Sequence, residues 1–293
     1  MSRILVTGSN GFIGSKLVEA LKFRGEEVFT IDILENRESE NHFQVNIASK
    51  SLPSIIAEIS PDVLVHLAAQ VDVQSSIADP FLDLESNALG TLNVVSSAIS
   101  SNCKNIVYSH SGGAVYDSNS ELPLTEKSPL LPVSPYGLTK NIGEGYLRVL
   151  SELSQVQWSS LALSNVYGSV HANQKGVIFE FWRDLATGVI PKINGKNVTR
   201  DFIYIDDVII AIMKAIDTPI NARVNISSGV EITLLELYDI VARALESQVK
   251  PNIGDQIPGD IARSCLGNTL AKELLKWAPN TTIEEGIRLS LEK

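Results

Sequence analysis

The sequence predicts an α/β fold, a doubly wound parallel sheet with a smaller, interleaved C-terminal lobe. Short apolar or β-branched runs alternate with helical patterns along the first part of the chain, and these runs are almost continuously apolar. Alternation of this kind builds parallel strands with crossover helices, and continuously apolar strands are buried on both faces of a sheet. The 293 residues are enough to bury the core of such a fold without disulfides.

Each strand of the sheet is predicted from one such run. The seven runs are Ile4–Thr7, Val28–Ile31, His42–Val45, Val63–Leu67, Ile106–Ser109, Trp158–Leu163 and Arg223–Ile226. Between them, apolar residues recur at helical spacing, which predicts a helix over residues 13–24 and another further along the chain. The residues that show this spacing are Leu17, Val18 and Leu21, and Leu89, Leu92, Val95 and Ile99. We expect the apolar stripes of these helices to belong to the core.

Three glycines, Gly8, Gly11 and Gly14, follow the first strand at intervals of three residues. Glycines there turn the chain tightly, bring bare backbone against a pyrophosphate and let the helix pack closely on the strand. Asp32 ends the second strand, where a carboxylate accepts from both ribose hydroxyls and repels a 2′-phosphate. An ordinary strand-turn-helix would explain the glycines alone. Together with the acidic strand end, they predict a Rossmann-type site that prefers NAD to NADP.

The alternation of strands and helices ends after Tyr167 and Gly168. We therefore predict an NAD-binding domain over residues 1–167, to which residues 201–228 return, and a substrate-binding lobe over residues 168–200 and 229–293. Prolines mark bends in this second part of the chain. They are Pro191, Pro219, Pro251, Pro258 and Pro279.

Composition argues against several classes of protein. The net charge of −10, without clustered Lys and Arg, argues against nucleic-acid binding. The longest apolar runs, such as Val63–Ala69 and Val208–Met213, are too short to span a membrane, and Gly8 interrupts the first strand where a signal peptide would continue. Cys103 and Cys265 lack metal-ligand spacing and fit a reducing compartment. We expect a cytoplasmic enzyme with no nucleic-acid or membrane partner.

Tyr136 and Lys140 lie one helical turn apart, so both side chains share a helix face. A lysine cation beside the phenol, together with an oxidised nicotinamide, would stabilise the phenolate and lower its pKa towards neutrality. The phenol could then act as a general base. Ser134 and Pro135 are predicted to begin the helix just before it.

Ser111 is the third candidate residue. It follows the strand Ile106–Ser109, and open α/β sheets bind ligands at their strand ends. Its hydroxyl can hydrogen bond the same substrate oxygen as the phenol, while Gly112 and its neighbour let substrate approach the backbone. Without the tyrosine and lysine, a simple serine-glycine turn would be the better interpretation. No Gly-x-Ser-x-Gly elbow surrounds this serine, which argues against a hydrolase triad.

With these residues, the chain resembles the extended short-chain dehydrogenase/reductase family, in particular NAD-dependent sugar-nucleotide epimerases of the UDP-glucose 4-epimerase type. The resemblance covers nearly the whole chain and rests on several ordered motifs. They are Gly8, Gly11 and Gly14, Asp32, His66-Leu67-Ala68-Ala69, Asn87 with Gly90-Thr91, the Ser111 segment, Tyr136 with Lys140, Asn165-Val166-Tyr167-Gly168, Arg200-Asp201-Phe202-Ile203 and Pro258-Gly259-Asp260.

The resemblance implies roles for these residues. Tyr136 would exchange the hydroxyl proton, Lys140 would hold the nicotinamide ribose and Ser111 would bind the reacting oxygen. Asn165 would contact the diphosphate or sugar, and Arg200 would pair with the diphosphate. The cofactor-binding residues implied are Gly8, Asn10, Gly11, Phe12, Ile13, Gly14, Asp32, Asn46, Ile47, Leu67, Ala68, Ala69, Asn87, Tyr136 and Lys140, and the substrate-binding residues are Ser111, Gly112, Asn165 and Arg200.

The family pattern also implies a homodimer, in which residues 81–100 and 136–151 of two subunits form a four-helix bundle. For Arg200, the alternative is a surface salt bridge to Asp201. His66 is expected to be a packed histidine that donates to backbone. The other histidines show no ligand-like clustering, so no metal is expected; they are His42, His110 and His171.

Three departures from the family pattern concern the substrate side and the adenine. Ile257 stands where family members carry a second diphosphate-binding arginine. Asn46 replaces the acidic residue that meets the adenine amine, although an amide carbonyl can accept the same bond. The loop over residues 169–176 is short for the family. These changes question UDP-galactose as the substrate and leave the redox residues intact.

We therefore expect a nucleotide-sugar 4-epimerase, in which Tyr136 removes the C4 hydroxyl proton while hydride leaves C4, and hydride then returns to the opposite face. The first alternative is an NAD(P)H-dependent reductase of nucleotide-4-keto-6-deoxysugars, which the short chain and Ile257 suit. The second is a non-catalytic dinucleotide sensor, disfavoured because Ser111, Tyr136 and Lys140 are all present. A 4,6-dehydratase is disfavoured because Gly112-Gly113-Ala114 replaces the acidic pair of related dehydratases.

Overall fold

A computed structural model describes residues 2–36, 39–168, 176–256 and 261–291. Within them, the strands are β1 (Arg3–Thr7), β2 (Glu27–Asp32), β3 (His42–Gln44), β4 (Val63–His66), β5 (Asn105–Ser111), β6 (Gln157–Leu163), β7 (Asn165–Tyr167), β8 (Lys192–Asn194), β9 (Thr199–Arg200), β10 (Phe202–Tyr204), β11 (Ala222–Ile226), β12 (Ile232–Thr233) and β13 (Asn252–Gly254). The helices are α1 (Phe12–Phe23), α2 (Leu52–Ile59), α3 (Val73–Ala78), α4 (Pro80–Asp83), α5 (Gly90–Ser100), α6 (Gly112–Val115), α7 (Pro135–Ser154), α8 (Val177–Thr187), α9 (Ile205–Asp217), α10 (Leu234–Ala244), α11 (Thr269–Leu274) and α12 (Ile283–Leu291). A π-helix at Leu84–Leu89 lies between α4 and α5.

The seven predicted strands form one central sheet, in the order β11-β6-β5-β4-β1-β2-β3. β1 pairs in parallel with β2 and β4, β2 with β3, and β4 with β5. β6 and β11 also run in one direction, since Asn221 donates to the Trp158 carbonyl and Ser164 to the Ile226 carbonyl. The strand order reverses beside β1, as in a doubly wound sheet. The predicted Rossmann-type fold is thereby confirmed.

The helix predicted over residues 81–100 is divided into three pieces. The Asp79 side chain caps α4 by accepting from the Leu82 amide at 3.0 Å, and Pro80 occupies its first position. The Gly90 amide then donates to the Glu85 carbonyl, one residue further back than in an α-helix. The spacing of apolar residues along the sequence does not reveal the one additional residue that makes a turn π-helical.

An apolar cluster joins residues of the central sheet to residues of α2, α5 and α7, and α5 contacts both of the other helices. Leu5, Leu64 and Ile106 contribute from neighbouring strands, and Val94 and Leu147 from α5 and α7. Each of these side chains is buried, and burying such a side chain contributes roughly 1.5–3 kcal/mol. The cluster therefore anchors α7 to the strands that end at the site described below.

The chain forms two compact units. The first comprises residues 1–115, 130–162 and 209–224, and the second comprises residues 116–129, 163–208 and 225–293. Of the segment 201–228, β11 joins the central sheet, whereas β10 pairs in parallel with β7. The assignment of cofactor and substrate to separate domains stays a prediction. Among the described residues, no helix combines the length and apolar composition needed to cross a membrane.

Candidate active site

The carboxyl ends of β1, β2, β4 and β5 lie at one edge of the central sheet, because these strands are parallel neighbours. Their last residues are Thr7, Asp32, His66 and Ser111. The glycine turn, the acidic strand end and the candidate serine therefore share one edge. Open α/β sheets bind ligands at such an edge, where the strand order reverses.

Gly8 and Gly14 meet the steric demands of the predicted phosphate turn. Gly8 has a φ of 72°, in the left-handed region, and a Cβ there would lie 2.7 Å from the Ala68 nitrogen. A Cβ on Gly14 would lie 2.0 Å from the Gly8 carbonyl oxygen. Side chains are therefore excluded at both positions. Gly11 precedes α1 without a side-chain cap, so bare backbone and the positive end of a helix are available to a pyrophosphate.

Asp32 is fixed beside this turn by two backbone amides. Its Oδ2 accepts from the Asn10 amide at 2.9 Å, and its Oδ1 accepts from the Leu34 amide at 3.0 Å. A carboxylate oxygen accepts more than one hydrogen bond, so both oxygens can also accept from ribose hydroxyls. The glycine turn and Asp32 thus fit a dinucleotide.

Two other predicted cofactor segments differ in their local bonding. The segment of residues 67–69 follows β4, and the Ala68 amide donates to Thr7 Oγ1 at 3.3 Å, which holds the segment against the glycine turn. Asn46 is exposed, and its Oδ1 accepts from the Ala48 amide at 2.8 Å. The carbonyl expected to meet the adenine amine therefore already has one local partner.

Ile47 and Asn87 are buried. Ile47 packs so closely on Gly90 that a Cβ added to Gly90 would lie 2.7 Å from Ile47 Cδ1. The Asn87 side chain accepts from the Gln70 amide at 2.8 Å and donates to the Gln70 carbonyl at 2.9 Å. Direct cofactor contacts of both residues stay predictions. In the structure, Asn87 holds the chain that follows β4.

Helix α7 brings Tyr136 to Ser111. It begins as predicted, with Ser134 Oγ accepting from the Gly137 amide at 3.2 Å. A Cβ on Gly137 would lie 2.2 Å from the Ala114 carbonyl oxygen, so α7 packs directly on the residues after β5. The Ser111 hydroxyl consequently lies close enough to the half-buried Tyr136 phenol to lower the pKa of that phenol. A hydroxyl pair of this kind can bind and deprotonate one substrate oxygen.

Lys140 belongs to the first unit and follows Tyr136 by one turn of α7. The side chain is buried, and its Nζ lies 4.2 Å from the centre of the Tyr108 ring, at the distance of a cation–π contact. The Tyr108 hydroxyl in turn donates to the Lys140 carbonyl at 3.2 Å. β5 thus holds both the candidate serine and the lysine of the helix.

The electrostatics of Tyr136 differ from the prediction. Desolvation raises the pKa of the phenol, the Ser111 hydroxyl lowers it, and the Asp83 carboxylate raises it. Desolvation lowers the pKa of Lys140 to about 7, against the opposing effect of Asp83 and Glu144. The protein groups alone therefore do not bring the phenol pKa towards neutrality. A positively charged nicotinamide beside the phenol would act in that direction.

His66 is a packed histidine, as predicted, but its partners are hydroxyl groups and not backbone. Its Nδ1 lies 2.7 Å from Thr7 Oγ1 and its Nε2 lies 3.0 Å from Thr91 Oγ1. The backbone of a central strand is occupied by the sheet ladder, so a side chain at its end bonds other side chains. Burial and the nearby Lys140 lower the pKa of His66 to about 3.

The two predicted substrate residues lie in the second unit. Asn165 begins β7 and donates from Nδ2 to the Asp201 carbonyl at 3.0 Å. Arg200 donates to the Thr199 carbonyl at 2.8 Å and to the Ile261 carbonyl at 2.7 Å. These bonds orient the guanidinium before any ligand binds. Their contacts with substrate stay predictions.

Asp201 is buried completely. Its carboxylate accepts from the backbone amides of Ser228, Gly229 and Leu266. The alternative interpretation of Arg200, a surface salt bridge to Asp201, is therefore inconsistent with the structure. Asp201 instead ties three segments of the second unit together.

Three sequence observations fall outside the described residues. They are the substitution at Ile257, the Pro258-Gly259-Asp260 motif and the short loop over residues 169–175.

Two carboxyl side chains near Lys140 were not predicted, Asp83 and Glu144. Asp83 is buried completely, and the Glu144 side chain is 13% exposed. Charged residues in a helical pattern usually lie on the solvent face, so the sequence offered no reason to expect these two carboxyl groups to be buried. The signal available was spacing, because Glu144 follows Lys140, and Asn87 follows Asp83, by one helical turn.

The chain is similar to known proteins over nearly its whole length. Residues 4–227 match the model of the NAD dependent epimerase/dehydratase family. A UDP-glucose 4-epimerase of Mycolicibacterium smegmatis is 35% identical over 306 residues, which cover 99% of this chain and 97% of that protein.

Solved structures agree with this relationship. The UDP-glucose 4-epimerase of Thermotoga maritima with UDP-glucose has a TM-score of 0.94 and 31% identity, with 99% of this chain and 97% of that one covered. The UDP-glucose 4-epimerase of Thermus thermophilus in complex with NAD has a TM-score of 0.91 and 32% identity, with the same coverage.

Proposed function

Because the chain belongs to the NAD dependent epimerase/dehydratase family, we propose that it is a nucleotide-sugar 4-epimerase with NAD as its cofactor. The observation that carries this proposal is the placement of the Ser111 hydroxyl beside the Tyr136 phenol, whose pKa the hydroxyl lowers. The pair lies at the sheet edge that also holds the glycine turn and Asp32. A proton-transfer pair and a dinucleotide site are thus adjacent, as hydride chemistry on an alcohol requires.

The residues of the chain handle the proton of the reaction. NAD, when bound, supplies the acceptor and later the donor of a hydride. Tyr136 Oη takes the proton of the C4 hydroxyl as C4 is oxidised, and Ser111 Oγ donates to the same substrate oxygen, which stabilises the developing negative charge. Return of the proton from Tyr136 as C4 is reduced on its opposite face gives the epimer, without net oxidation.

The glycine turn and Asp32 would hold the pyrophosphate and the adenosine ribose of NAD. Lys140 would hold the nicotinamide ribose, and its positive charge would favour the phenolate of Tyr136. Tyr136 would thereby be ready to accept a proton in the oxidised complex and to donate it in the reduced complex.

A UDP-sugar is the substrate class we propose, since the related epimerases named above act on UDP-glucose. Arg200 would pair with its diphosphate, because a guanidinium is a permanent, planar cation that matches the geometry of phosphate oxygens. Asn165 would contact the diphosphate or the sugar.

We further propose a homodimer formed through α4, the π-helix, α5 and α7. Within the first unit α7 contacts each of the other three, and exposed apolar side chains lie on α4, the π-helix and α7. Phe81 and Leu153 are 82% and 79% exposed, and Leu89 and Val149 are exposed as well. Exposed apolar side chains gathered on helices that contact one another suit a protein interface, and four helices from two subunits can pack as a bundle.

The cytoplasm is the compartment we propose. Cys103 and Cys265 are unpaired and buried, and desolvation raises their pKa to about 11 and about 12. Such thiols are inert packing residues, which a reducing compartment preserves.

The test incubates the purified protein with NAD and, separately, with UDP-glucose, UDP-N-acetylglucosamine and UDP-glucuronate. Formation of a C4 epimer with no net change in NADH absorbance supports the proposal, and the best substrate identifies the sugar. In a separate incubation with NAD(P)H and a nucleotide-4-keto sugar, stoichiometric consumption of NAD(P)H would show a reductase instead. Tight NAD binding with no turnover of any sugar would show a sensor.

A further inference from the structure

Asp83 is a buried carboxylate that the proposed chemistry does not use. Its Oδ1 accepts from Gln70 Nε2 at 3.1 Å and from Asn87 Nδ2 at 2.9 Å, and its Oδ2 accepts from Thr139 Oγ1 at 2.6 Å. All three partners act as donors. An ionised carboxylate only accepts hydrogen bonds, so these contacts suit the charged form.

The three donors come from three elements around the candidate site. Gln70 belongs to the segment after β4 that lies against the glycine turn, and Asn87 belongs to the π-helix. Thr139 lies on α7 between Tyr136 and Lys140, and its Oγ1 also lies 3.1 Å from the Tyr136 carbonyl oxygen. One carboxylate therefore links the predicted cofactor segment to the helix that carries the proton donor.

We propose that Asp83 is a positioning residue that orients the Tyr136 and Lys140 face of α7 and places a negative charge near the Lys140 ammonium. The inference rests on the proposed function and adds to it a residue that touches neither substrate nor cofactor. Asp83 acts through Thr139 by contact and on Lys140 by its charge.

Charge supports the second part of this role. Groups on four elements interact with Lys140. They are Asp83 at the end of α4, Glu144 on α7, His66 on β4, and Tyr108 with His110 on β5. Burial and Lys140 lower the pKa of both imidazoles, so they are neutral. Glu144 also pairs with Arg223 at 3.1 Å, whereas the hydrogen-bond donors to Asp83 are uncharged. Asp83 is therefore the less neutralised of the two carboxylates.

The first experiment measures the charge of Lys140 without turnover. Protein with ¹³C-labelled lysine side chains is titrated by NMR, and Lys140→Met identifies the Lys140 signal. We expect a midpoint of about 7 for the wild type and a lower midpoint for Asp83→Asn, which retains the shape of the side chain and removes the charge. Asp79→Asn is the matched control, because Asp79 is an exposed cap of the same helix and Asn also caps well; it should leave the midpoint unchanged.

The second experiment measures the pH profile of kcat. Loss of the Asp83 charge lowers the pKa of both Lys140 and Tyr136, because the carboxylate raises both. Both limbs of the profile should therefore move to lower pH in Asp83→Asn. Thr139→Val removes the contact and retains the charge, so kcat should fall with the profile in place and KM nearly unchanged, and Thr139→Ser should restore kcat.

An unchanged Lys140 midpoint in Asp83→Asn, or an equal shift in Asp79→Asn, would overturn the charge role. Full kcat in Thr139→Val would overturn the contact role. A wild type that epimerises no sugar would contradict the proposed function, yet the NMR titration would still decide the effect of Asp83 on Lys140.

Discussion

Ser111, the last residue of β5, lies beside the phenol of Tyr136 in the first turn of α7 and lowers the pKa of that phenol. The contact depends on Gly137, since any Cβ there would collide with the Ala114 carbonyl and push the helix away. The glycine between the two reactive residues of the helix is thus a requirement of the site.

Tyr136→Phe should lower kcat by at least about 10³-fold, because the phenol is the proton acceptor and general catalysis of this kind contributes about 10²–10⁴-fold. The ring is retained, so the Kd of NAD measured by calorimetry should stay within about threefold of the wild type. Ser111→Ala is the companion variant and should lose less activity, since it removes only one hydrogen bond. Appreciable turnover by Tyr136→Phe would remove this residue from its role.

Gly8→Ala should weaken NAD binding by about tenfold or more, because the new Cβ would meet the Ala68 backbone at 2.7 Å and displace the glycine turn. Gly25→Ala is the matched control. Gly25 also has a positive φ, of 86°, but no atom lies within 4 Å of its Cβ position. Both variants incur the left-handed cost of roughly 1–2 kcal/mol, seen in thermal unfolding. Equal loss of NAD affinity in both would contradict the assignment of the turn.

Lys140 should make the stability of the ligand-free protein depend on pH. Its pKa is lowered from 10.5 to about 7, chiefly by desolvation. Between these values the unfolded chain binds a proton that the folded chain does not, so the free energy of unfolding should rise with pH across this window.

Lys140→Met should remove this dependence and raise the free energy of unfolding below pH 7 by about 5 kcal/mol at most, while turnover is lost. Urea unfolding at several pH values measures it, with the exposed Lys50→Met as the control. An identical pH dependence in wild type and Lys140→Met would show that the lysine is not desolvated.

Phe81→Asp should convert the proposed homodimer into a monomer, since it places a charge in the apolar face of the bundle. Phe23→Asp is the control, because Phe23 is 95% exposed at the end of α1, outside these helices. Sedimentation velocity measures the assembly. A Phe81→Asp variant that sediments like the wild type would exclude this face as the interface.

The sequence predicted all seven strands of the central sheet, because buried parallel strands are apolar throughout and each is bounded by a helical pattern. It also identified Ser111, Tyr136 and Lys140 as candidate site residues, because their types and spacing are local signals. The relationships that depend on packing were missed. The π-helix, the hydroxyl partners of His66 and the buried charge of Asp83 exist only because distant elements meet, and periodicity along one element carries no record of them.

The desolvation of Tyr136 was missed for the same reason. Desolvation depends on the depth of the whole site, and the lysine expected to lower the phenol pKa is itself partly discharged by burial. The spacing of Tyr136 and Lys140 along the sequence predicts that the two side chains are neighbours, but it does not predict the protonation state of the lysine.

The most direct test of the account follows the hydrogen on C4. UDP-glucose carrying deuterium at C4 is incubated with the protein and NAD in ordinary water, and the epimer is examined by mass spectrometry and NMR. Hydride that leaves and returns within the site should give an epimer with the deuterium still on C4. An epimer in which that deuterium has been replaced by solvent hydrogen would contradict hydride transfer and with it the proposed roles of Ser111, Tyr136 and Lys140.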